Sequence, residues 1–189
     1  MIGYCFCGSF CTFSRSIEVL KELVSRYEVQ PIFSFNAAST DTRFGKASNF
    51  TDTVAEICGR APICTIFDAE PLGPQIPLDA LVIAPCTGNT LAKMALGITD
   101  TPVTMAAKAH MRRSRPLLIA LASNDAMSAN LKNIACLLEK KSVYFVPMVQ
   151  DDPEKKPHSL VADFAQTPQC LADAINGQQK RPLFLEKQC

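Results

Sequence analysis

The sequence has little of what a metal-binding, membrane-spanning or nucleic-acid-binding protein needs. It contains only two histidines, His110 and His158, which stand far apart and without nearby cysteine pairs, so no metal site is expected. The formal net charge of +1 gives no electrostatic basis for binding nucleic acid or a membrane surface. No apolar run approaches the roughly 20 residues that span a bilayer. The start, Met1 to Tyr4, has no basic stretch or cleavage site, and we expect no signal peptide.

Cysteine is abundant, but its spacing does not fit a disulfide or zinc framework. Most of the nine cysteines stand singly in apolar segments, for example Cys58, Cys64, Cys136 and Cys170. The segment Cys5-Phe6-Cys7 has only one residue between its thiols and lies on a predicted strand. Because no export signal is expected either, we predict buried, reduced thiols.

The G-x-G-x-x-G pattern of dinucleotide-binding proteins is also absent, yet apolar strands alternate with helical periodicity along the chain. Six buried strands are predicted, at residues 2–7, 30–35, 63–67, 80–84, 117–122 and 143–146. This alternation predicts an α/β fold, a doubly wound Rossmann-like or flavodoxin-like parallel sheet between two helical layers. The length favours a single domain over residues 1–189, with an ordered core to about 176 and a loosely held tail at 177–189.

Local signals place several of the helices between these strands. Thr101-Pro102 is a cap followed by proline at the first helical position, and it opens a helix over 103–112. A helix from about 51 to 58 is predicted to stop at Gly59. Ser123-Asn124-Asp125 caps or precedes a helix that continues to about residue 140.

The stretch from Asp79 to Asp100 is the most informative part of the chain. A buried apolar run breaks at Pro85, small polar residues follow, and apolar residues then recur at helical spacing up to Gly97. Either Asn89 or Thr90 is expected to cap this helix. A strand end, a polar turn and a helix N-terminus together bring free N–H groups to one place, which favours a ligand site. An ordinary capped turn explains the same residues equally well.

Polar residues also follow other predicted strands. Gly8 allows close backbone approach to an anion and Ser9 adds a hydroxyl, while the loop 36–45 and the pair Ser123-Asn124 follow later strands. Because the carboxyl ends of parallel strands share one edge of a sheet, we expect these groups to cluster and to accept a phosphate-bearing ligand. The same residue types also simply form turns.

The motifs resemble the flavoprotein family of homo-oligomeric, flavin-containing cysteine decarboxylases. The Pro-Ala-Ser-Ala-Asn-Thr turn of that family stands here as Pro85-Cys86-Thr87-Gly88-Asn89-Thr90, and LAKMALGITD follows it. Further segments match one branch of the family, in which a flavin subunit works beside a nicotinamide-binding subunit: 39–46 (STDTRFGK), 68–74 (DAEPLGP), 100–112 (DTPVTMAAKAHMR) and 150–163 (QDDPEKKPHSLVAD). Together these motifs cover most of the chain.

The resemblance implies that FMN binds at the carboxyl edge of the sheet. Gly8, Ser9 and Ser39 match family positions near the phosphate, and Asn89 matches the motif asparagine near the isoalloxazine and the substrate. The full set of expected cofactor-binding residues is Gly8, Ser9, Phe10, Asn36, Ser39, Pro85, Cys86, Thr87, Asn89, Thr90, Ser123 and Asn124.

The substrate side is less well defined by the sequence. Arg43, Lys108 and Lys156 are candidate contacts for a small dicarboxylate, although each also fits a solvated surface charge. Asp68, Glu70 and His158 are open alternatives for a catalytic base, and spacing favours none of them, so the catalytic residues are left unassigned.

The implied activity is oxidation of a dihydro or hydroxytetrahydro precursor to an aromatic pyridine dicarboxylate. NADPH or NADP would enter only through the partner subunit. The resemblance further implies a homo-oligomer built from trimers, located in the mother-cell cytoplasm of a spore-forming bacterium, with no nucleic-acid or membrane partner.

Two departures from the family bear on the alternatives. The loop 67–77 lacks the histidine of the decarboxylases, and Leu160-Val161-Ala162-Asp163 stands where pantothenate-pathway members have Leu-Ala-Cys-Gly-Asp. An FMN-dependent cysteine decarboxylase or a prenyl-flavin synthase is therefore the second hypothesis. A non-catalytic FMN-binding scaffold subunit is the third.

Overall fold

Five parallel strands form the central sheet of the computed structural model, which describes residues 1–73 and 75–186. They are β1 (Ile2–Phe6), β2 (Val29–Phe33), β3 (Ala80–Cys86), β4 (Leu117–Ser123) and β5 (Val143–Phe145), arranged in the order β2-β1-β3-β4-β5. Every residue of β3 and β4 is buried, as expected for central strands covered on both faces. The predicted α/β fold with a doubly wound parallel sheet is confirmed.

Three short strands extend the sheet beyond its carboxyl edge. These are β6 (Met148–Val149), β7 (Leu160–Ala162) and β8 (Phe184–Leu185). The last two residues of β4 pair antiparallel with β7, which pairs antiparallel with β6, and β6 pairs parallel with β8. The segment 150–159 is therefore a loop held at both ends beside the point where β4 finishes.

Helices cover both faces of the sheet. Their bounds are α1 (Phe13–Val24), α2 (Phe35–Ser39), α3 (Ala47–Cys58), α4 (Ile66–Ala69), α5 (Gly88–Leu96), α6 (Pro102–Met111), α7 (Leu131–Leu138) and α8 (Thr167–Ile175), with 3-10 turns at Phe10–Thr12 and Phe164–Gln166. One buried cluster joins the sheet to α4, α5, α6 and α7, and a second joins it to α1, α2, α3 and α8. The side chains of β1 alternate between the two clusters, which is the period of a strand buried on both faces.

Several local predictions hold. Thr101 caps α6 in a reciprocal capping box with Thr104, and Pro102 occupies the first turn. Gly59 and Gly97 end α3 and α5 in the left-handed conformation, with φ of 61° and 73°. The helix expected from about residue 51 begins earlier, at Ala47.

The predicted strand at 63–67 is wrong. Only Ile63 makes a bridge, to Ile32 at the edge of the sheet, and the chain then turns into α4. The hydroxyl of Thr65 accepts the N–H of Asp68 at 3.0 Å and so caps this short helix. A β-branched run thus becomes a cap and a helical turn because a local hydrogen bond competes with strand pairing.

The helix expected directly after Ser123-Asn124-Asp125 is also corrected. Residues 124–130 form turns, and α7 starts only at Leu131. The Asp125 carboxylate accepts hydrogen bonds from Ser123 and Asn130, and this local network holds the turns.

The tail is packed further than predicted. Gln179 accepts from the N–H of Phe145 at 2.8 Å and donates to its carbonyl at 2.7 Å, and Leu183 is buried. With β8 paired to β6, residues 177–186 belong to the fold, and the expectation of a loose tail is wrong for them. The predicted tail residues 187–189 lie outside the described residues, as does Pro74 of the matched segment 68–74.

Within the part of the chain that the structure describes, no helix combines the length and apolar character of a membrane span. All eight cysteines described there are free thiols. Cys5, Cys7, Cys86 and Cys170 are buried as predicted. Cys58, Cys64 and Cys136 are only partly buried and Cys11 is exposed, so the prediction is wrong for these four.

Candidate functional site

The turn between β3 and α5 is organised by Thr87. Its hydroxyl accepts the N–H of Thr90 at 3.3 Å and donates to the Thr90 hydroxyl at 3.1 Å, so Thr87 is the N-cap of α5. The prediction that Asn89 or Thr90 caps this helix is therefore wrong. Since Thr87 takes the capping role, the exposed side chain of Asn89 remains available, together with the first-turn N–H groups of Gly88 and Asn89.

Gly88 allows a polar cluster to pack against this turn. A Cβ atom at Gly88 would lie 2.5 Å from Ser123 Oγ, 2.6 Å from Asn130 Nδ2 and 2.7 Å from Asp125 Oδ1. These distances are shorter than real Cβ contacts, so any side chain at this position would displace the polar cluster. Side chains of the protein itself fill the space beside Gly88.

The cluster against Gly88 fixes the orientation of the Ser123 hydroxyl. Ser123 donates to Asp125, Asn130 Nδ2 donates to the other carboxylate oxygen at 2.9 Å, and Asn133 Nδ2 donates to Asn130 at 2.8 Å. Because the proton of Ser123 is used by Asp125, its lone pairs are what it can offer to a ligand.

A first cavity of about 310 Å³ lies beside the N-terminus of α5, and we call it the amide cavity. It is lined by Gly8, Ser34, Phe35, Asn36, Thr87, Asn89, Thr90, Lys93, Asp100 and Thr101. The side-chain amides of Asn36 and Asn89 make no hydrogen bond to any described residue. Lys93 and Asp100 pair with each other at 2.9 Å, so the remaining lining groups are neutral.

A second cavity of about 500 Å³ adjoins it, and we call it the arginine cavity. Its lining includes Gly8, Ser9, Phe10, Cys11, Thr12, Arg15, Arg43, Phe44, Thr87, Gly88, Ala122, Ser123, Asn124, Asp125, Asp151, Lys156 and Val161. Both cavities contain Gly8 and Thr87, so they are neighbouring parts of one region at the carboxyl edge of the sheet.

The charges of the arginine cavity are unevenly paired. Lys156 binds Asp151 at 3.1 Å. Partial burial raises the pKa of Asp151, but the hydrogen bond and the charge of Lys156 oppose this shift, and the pKa stays below its ordinary value. Arg15 and Arg43 stand over the rings of Phe164 and Phe44, at 5.5 and 4.9 Å from the ring centres. Over residues 1–73 and 75–186, neither arginine has an ion-paired carboxylate.

Buried thiols lie beneath the turn. Burial raises the pKa of Cys7 to about 11, although hydrogen bonds with Thr90 and Thr87 oppose this shift. Burial also raises the pKa of Cys86 well above its ordinary value. Thiols in this environment stay protonated at neutral pH, so they pack against the core and do not act as nucleophiles.

The structure brings most of the predicted site residues to these two cavities. Those lining one or both are Gly8, Ser9, Phe10, Asn36, Thr87, Asn89, Thr90, Ser123 and Asn124, and from the substrate set Arg43 and Lys156. Ser9 and Asn89 line adjacent cavities rather than the same one. The side-chain contacts of these residues with a cofactor remain predictions.

Four predicted residues lie elsewhere. Ser39 donates its hydroxyl to Phe35 O at 2.8 Å and lines neither cavity. Pro85 and Cys86 are buried at the end of β3, and Lys108 is exposed on α6. The open alternatives for a base, Asp68, Glu70 and His158, also line neither cavity.

Other lining residues were missed by the sequence reasoning. Ser34 was hidden inside a strand predicted to extend to Phe35, whereas β2 ends at Phe33 and Ser34 caps α2. Arg15 lies on α1, where helical periodicity alone predicts a solvent-exposed side chain. The signal that could have found it is its position in the first turn, where a cation opposes the helix dipole.

Known proteins match both this fold and nearly the whole chain. The Flavoprotein family profile matches residues 1–167. The B subunit of dipicolinate synthase from Bacillus subtilis is 42% identical over 186 residues, covering 98% of this chain and 93% of that protein. The crystal structure of the same B subunit from Bacillus halodurans superposes with a TM-score of 0.90 at 38% identity, covering 99% of this chain and 96% of that one.

One more distant relative matches only part of the chain in sequence. Flavin prenyltransferase UbiX of Thermoplasma acidophilum is 36% identical over 61 residues, which is 32% of this chain and 34% of that protein. The full-length agreement in sequence and fold, together with the profile match over most of the residues, settles the family. The chain belongs to the Flavoprotein family.

Proposed function

We propose that this chain binds FMN and acts with the nicotinamide-binding A subunit of dipicolinate synthase in the oxidation of a dihydro- or hydroxytetrahydro-dipicolinate precursor to dipicolinate. The observation that carries the proposal is the 42% identity, over 98% of the chain, to a protein named as the B subunit of that synthase. NADPH or NADP is proposed to enter only through the nicotinamide-binding partner.

The residues at the carboxyl edge fit FMN. The neutral amides of Asn36 and Asn89 and the free N–H groups at the start of α5 suit the heteroatoms of an isoalloxazine ring. Gly8 and Ser9 offer backbone approach and a hydroxyl, which suit the phosphate. When bound, FMN supplies a two-electron acceptor for the two hydrogens that aromatisation removes.

The chain's own groups bind and orient the reactants. Arg43 and Lys156 line the arginine cavity beside Ser123 and are proposed to attract the carboxylates of the substrate. Asn89, one residue beyond the Gly88 turn, is proposed to hold the ring of the cofactor next to it. The buried apolar ends of β3 and β4 close the site from below and exclude water.

Reconstitution with the partner tests this proposal. The chain, its nicotinamide-binding partner and the precursor are mixed, and dipicolinate absorbance is followed with and without FMN. Formation of dipicolinate that requires both this chain and FMN is expected. Dipicolinate formation that does not depend on this chain contradicts the proposal.

The reconstituted system and two further activity assays separate the other hypotheses. Full partner activity with an Asn89→Ala chain that no longer binds FMN would favour a non-catalytic scaffold. Release of CO₂ from a cysteinyl peptide or from pantothenoyl-cysteine would favour a decarboxylase, and prenylation of FMN would favour a relative of the prenyltransferases. The sequence match to UbiX of Thermoplasma acidophilum covers 32% of the chain, against 98% for the B subunit of dipicolinate synthase, so prenylation ranks second. The loop 67–77 lacks the histidine of the decarboxylases, so decarboxylation ranks second as well.

We also propose a homo-oligomer built from trimers in the mother-cell cytoplasm. Apolar side chains on the described surface support association, since Phe67 is 85% exposed and Leu96 is 72% exposed. A structural relative is described as dodecameric and another as a cubic protein cage. Light scattering of the purified chain gives the mass, and a monomer at micromolar concentration would contradict this assembly.

A further inference from the structure

Arg15 lies where the arginine cavity meets a larger, outer cavity. The outer cavity has a volume of about 850 Å³ and shares Arg15, Asp151 and Val161 with the arginine cavity. Its other walls include Phe184 and Leu185 of β8 and Gln166 of the second 3-10 turn. Arg15 is therefore in contact with both spaces.

Packing holds the guanidinium of Arg15 in place without neutralising it. Its central carbon lies 5.5 Å from the centre of the buried Phe164 ring. A cation over an aromatic face keeps its N–H groups at the edge of the stack, where they can still donate hydrogen bonds. The contact with Phe164 thus positions Arg15 while leaving its donors for a ligand.

The acidic groups around Arg15 are engaged elsewhere or lie apart from it. Asp151 pairs with Lys156, and Asp125 accepts from Ser123 and Asn130. Asp163 accepts from Gln166 at 2.9 Å. Glu186 also lines the outer cavity but forms no ion pair with Arg15. Glu18 and Glu22, which line a further cavity with Arg15, pair with Lys21 and Arg26. Within the described ranges, no carboxylate is therefore ion-paired with Arg15.

The position of Arg15 in α1 goes against helix electrostatics. It stands in the first turn, which contains no acidic residue, at the end where the helix dipole is positive. A cation there weakens the helix slightly, and local rules are commonly broken where a site needs the residue. The dipole and the guanidinium together make this side of the cavity attractive to an oxyanion.

We propose that Arg15 is a specificity-determining residue that binds one carboxylate of the pyridine dicarboxylate, while Arg43 or Lys156 binds the other. This proposal rests on the proposed function, since it takes the ligand to be a dicarboxylate. Arg15 and Arg43 line one cavity and neither is ion-paired with a carboxylate, so both could reach a molecule bound there. A guanidinium matches a carboxylate in a two-point hydrogen bond, which a lysine cannot reproduce.

Binding of product analogues to the FMN-loaded chain tests the role of Arg15. Dipicolinate and picolinate, which has a single carboxylate, are titrated against wild type, Arg15→Gln and Arg15→Lys by calorimetry and by the flavin spectrum. Arg15→Gln should weaken dipicolinate binding about tenfold and picolinate binding less than about twofold, because one carboxylate can still use Arg43. Arg15→Lys should fall between wild type and Arg15→Gln for dipicolinate.

A control just beyond the C-terminus of α1 removes a charge that is already paired. Arg26 binds Glu22 at 2.8 Å and lines neither the arginine cavity nor the outer cavity, so Arg26→Gln should bind both acids like wild type. If Arg26→Gln and Arg15→Gln lose the same amount of affinity for dipicolinate, the proposal is overturned, because the loss then reflects net charge and not a specific contact.

Titration with FMN and riboflavin distinguishes the carboxylate from the other oxyanion, the cofactor phosphate. Arg15→Gln should bind both flavins like wild type. Weaker binding of FMN but not of riboflavin would assign Arg15 to the phosphate and overturn the proposal. If wild type binds dipicolinate and Arg15→Gln binds it equally well, only this inference fails. If FMN-loaded wild type binds no dipicolinate, the proposed function fails with it.

Discussion

The amide cavity and the arginine cavity meet at Gly8 and Thr87 but differ in charge. In the amide cavity, Lys93 and Asp100 pair with each other, and uncharged amides and hydroxyls remain. In the arginine cavity, Arg15 and Arg43 have no ion-paired carboxylate among the described residues. One edge of the sheet thus offers neutral hydrogen bonds on one side and net positive charge on the other.

This difference indicates how one site can hold two unlike molecules. Neutral hydrogen bonds each contribute about 0.5–1.5 kcal/mol and depend on geometry, so they favour a heterocycle with fixed donors and acceptors. Charge attraction acts over a longer distance and is weakened by salt, so it favours a small anion. We interpret the amide cavity as the side of the flavin ring and the arginine cavity as the side of the anionic ligand.

The largest effect is expected from Gly88→Ala, which changes the wall of the arginine cavity beside Thr87. The new methyl group would collide with Ser123, Asp125 and Asn130 and push the polar cluster away from α5. Such overpacking should lower the free energy of unfolding by about 2 kcal/mol. Urea unfolding measures this free energy. Asn89→Ala, at the neighbouring exposed position, is the control and should keep the stability of the wild type. Equal stability of the two variants would contradict the packing role of Gly88.

A smaller effect is expected from Asn89→Ala on the affinity for FMN. Loss of one amide hydrogen bond should weaken binding about tenfold, with little change in its salt dependence. Fluorescence titration of FMN measures this. Ser39→Ala is a matched control, since the Ser39 hydroxyl is bound to Phe35 O and should leave affinity unchanged. If Ser39→Ala loses as much affinity for FMN as Asn89→Ala, the expected position of the flavin ring beside Asn89 is contradicted.

The predictability of the fold follows from where each segment lies. The apolar runs of β3 and β4 are buried on both faces, so composition alone identifies them. The run at 63–67 has similar composition but lies at the sheet edge, where Phe67 is 85% exposed and Thr65 forms a cap instead. Strand pairing at an edge depends on neighbours that a local pattern does not contain.

The site was predictable where one turn carries it and not where distant segments meet. Asn89 and Thr87 belong to a single motif, and the motif located them. The collision that makes Gly88 necessary comes from Ser123, Asp125 and Asn130, which reach it only in the folded chain. Arg15 lines a cavity only because the loop after β6 and the 3-10 turn at Phe164 pack beside it in the folded chain.

Ligand binding at the two cavities should depend differently on ionic strength. Raising sodium chloride from about 50 mM to about 500 mM shortens the screening length severalfold, so dipicolinate binding should weaken by about threefold to tenfold. Riboflavin binding, which uses neutral groups, should change less than about twofold over the same range. Calorimetry at each salt concentration measures both. Equal salt dependence of the two ligands would contradict the division of charge.

The smallest effect is expected from pH at the loop 150–159, which borders the arginine cavity. Folding lowers the pKa of Asp151, so contacts of its ionised carboxylate stabilise the loop above the unfolded pKa of about 4 and are lost as pH falls through the lower folded value. Hydrogen exchange at the N–H groups of Lys156 and Ser159, corrected for intrinsic rates, should be constant from about pH 7 to 5 and faster below about pH 4.

Asp151→Asn provides the control for this titration, because Asp152 and Glu154 in the same loop are kept. The variant should lose most of the acid-dependent change in exchange while opening more easily at neutral pH. Both side chains of the Asp151–Lys156 pair are partly solvated, at 34% and 49% exposure, so the change should be modest. An unchanged acid dependence in Asp151→Asn would show that the rim of the arginine cavity does not depend on the Asp151–Lys156 pair.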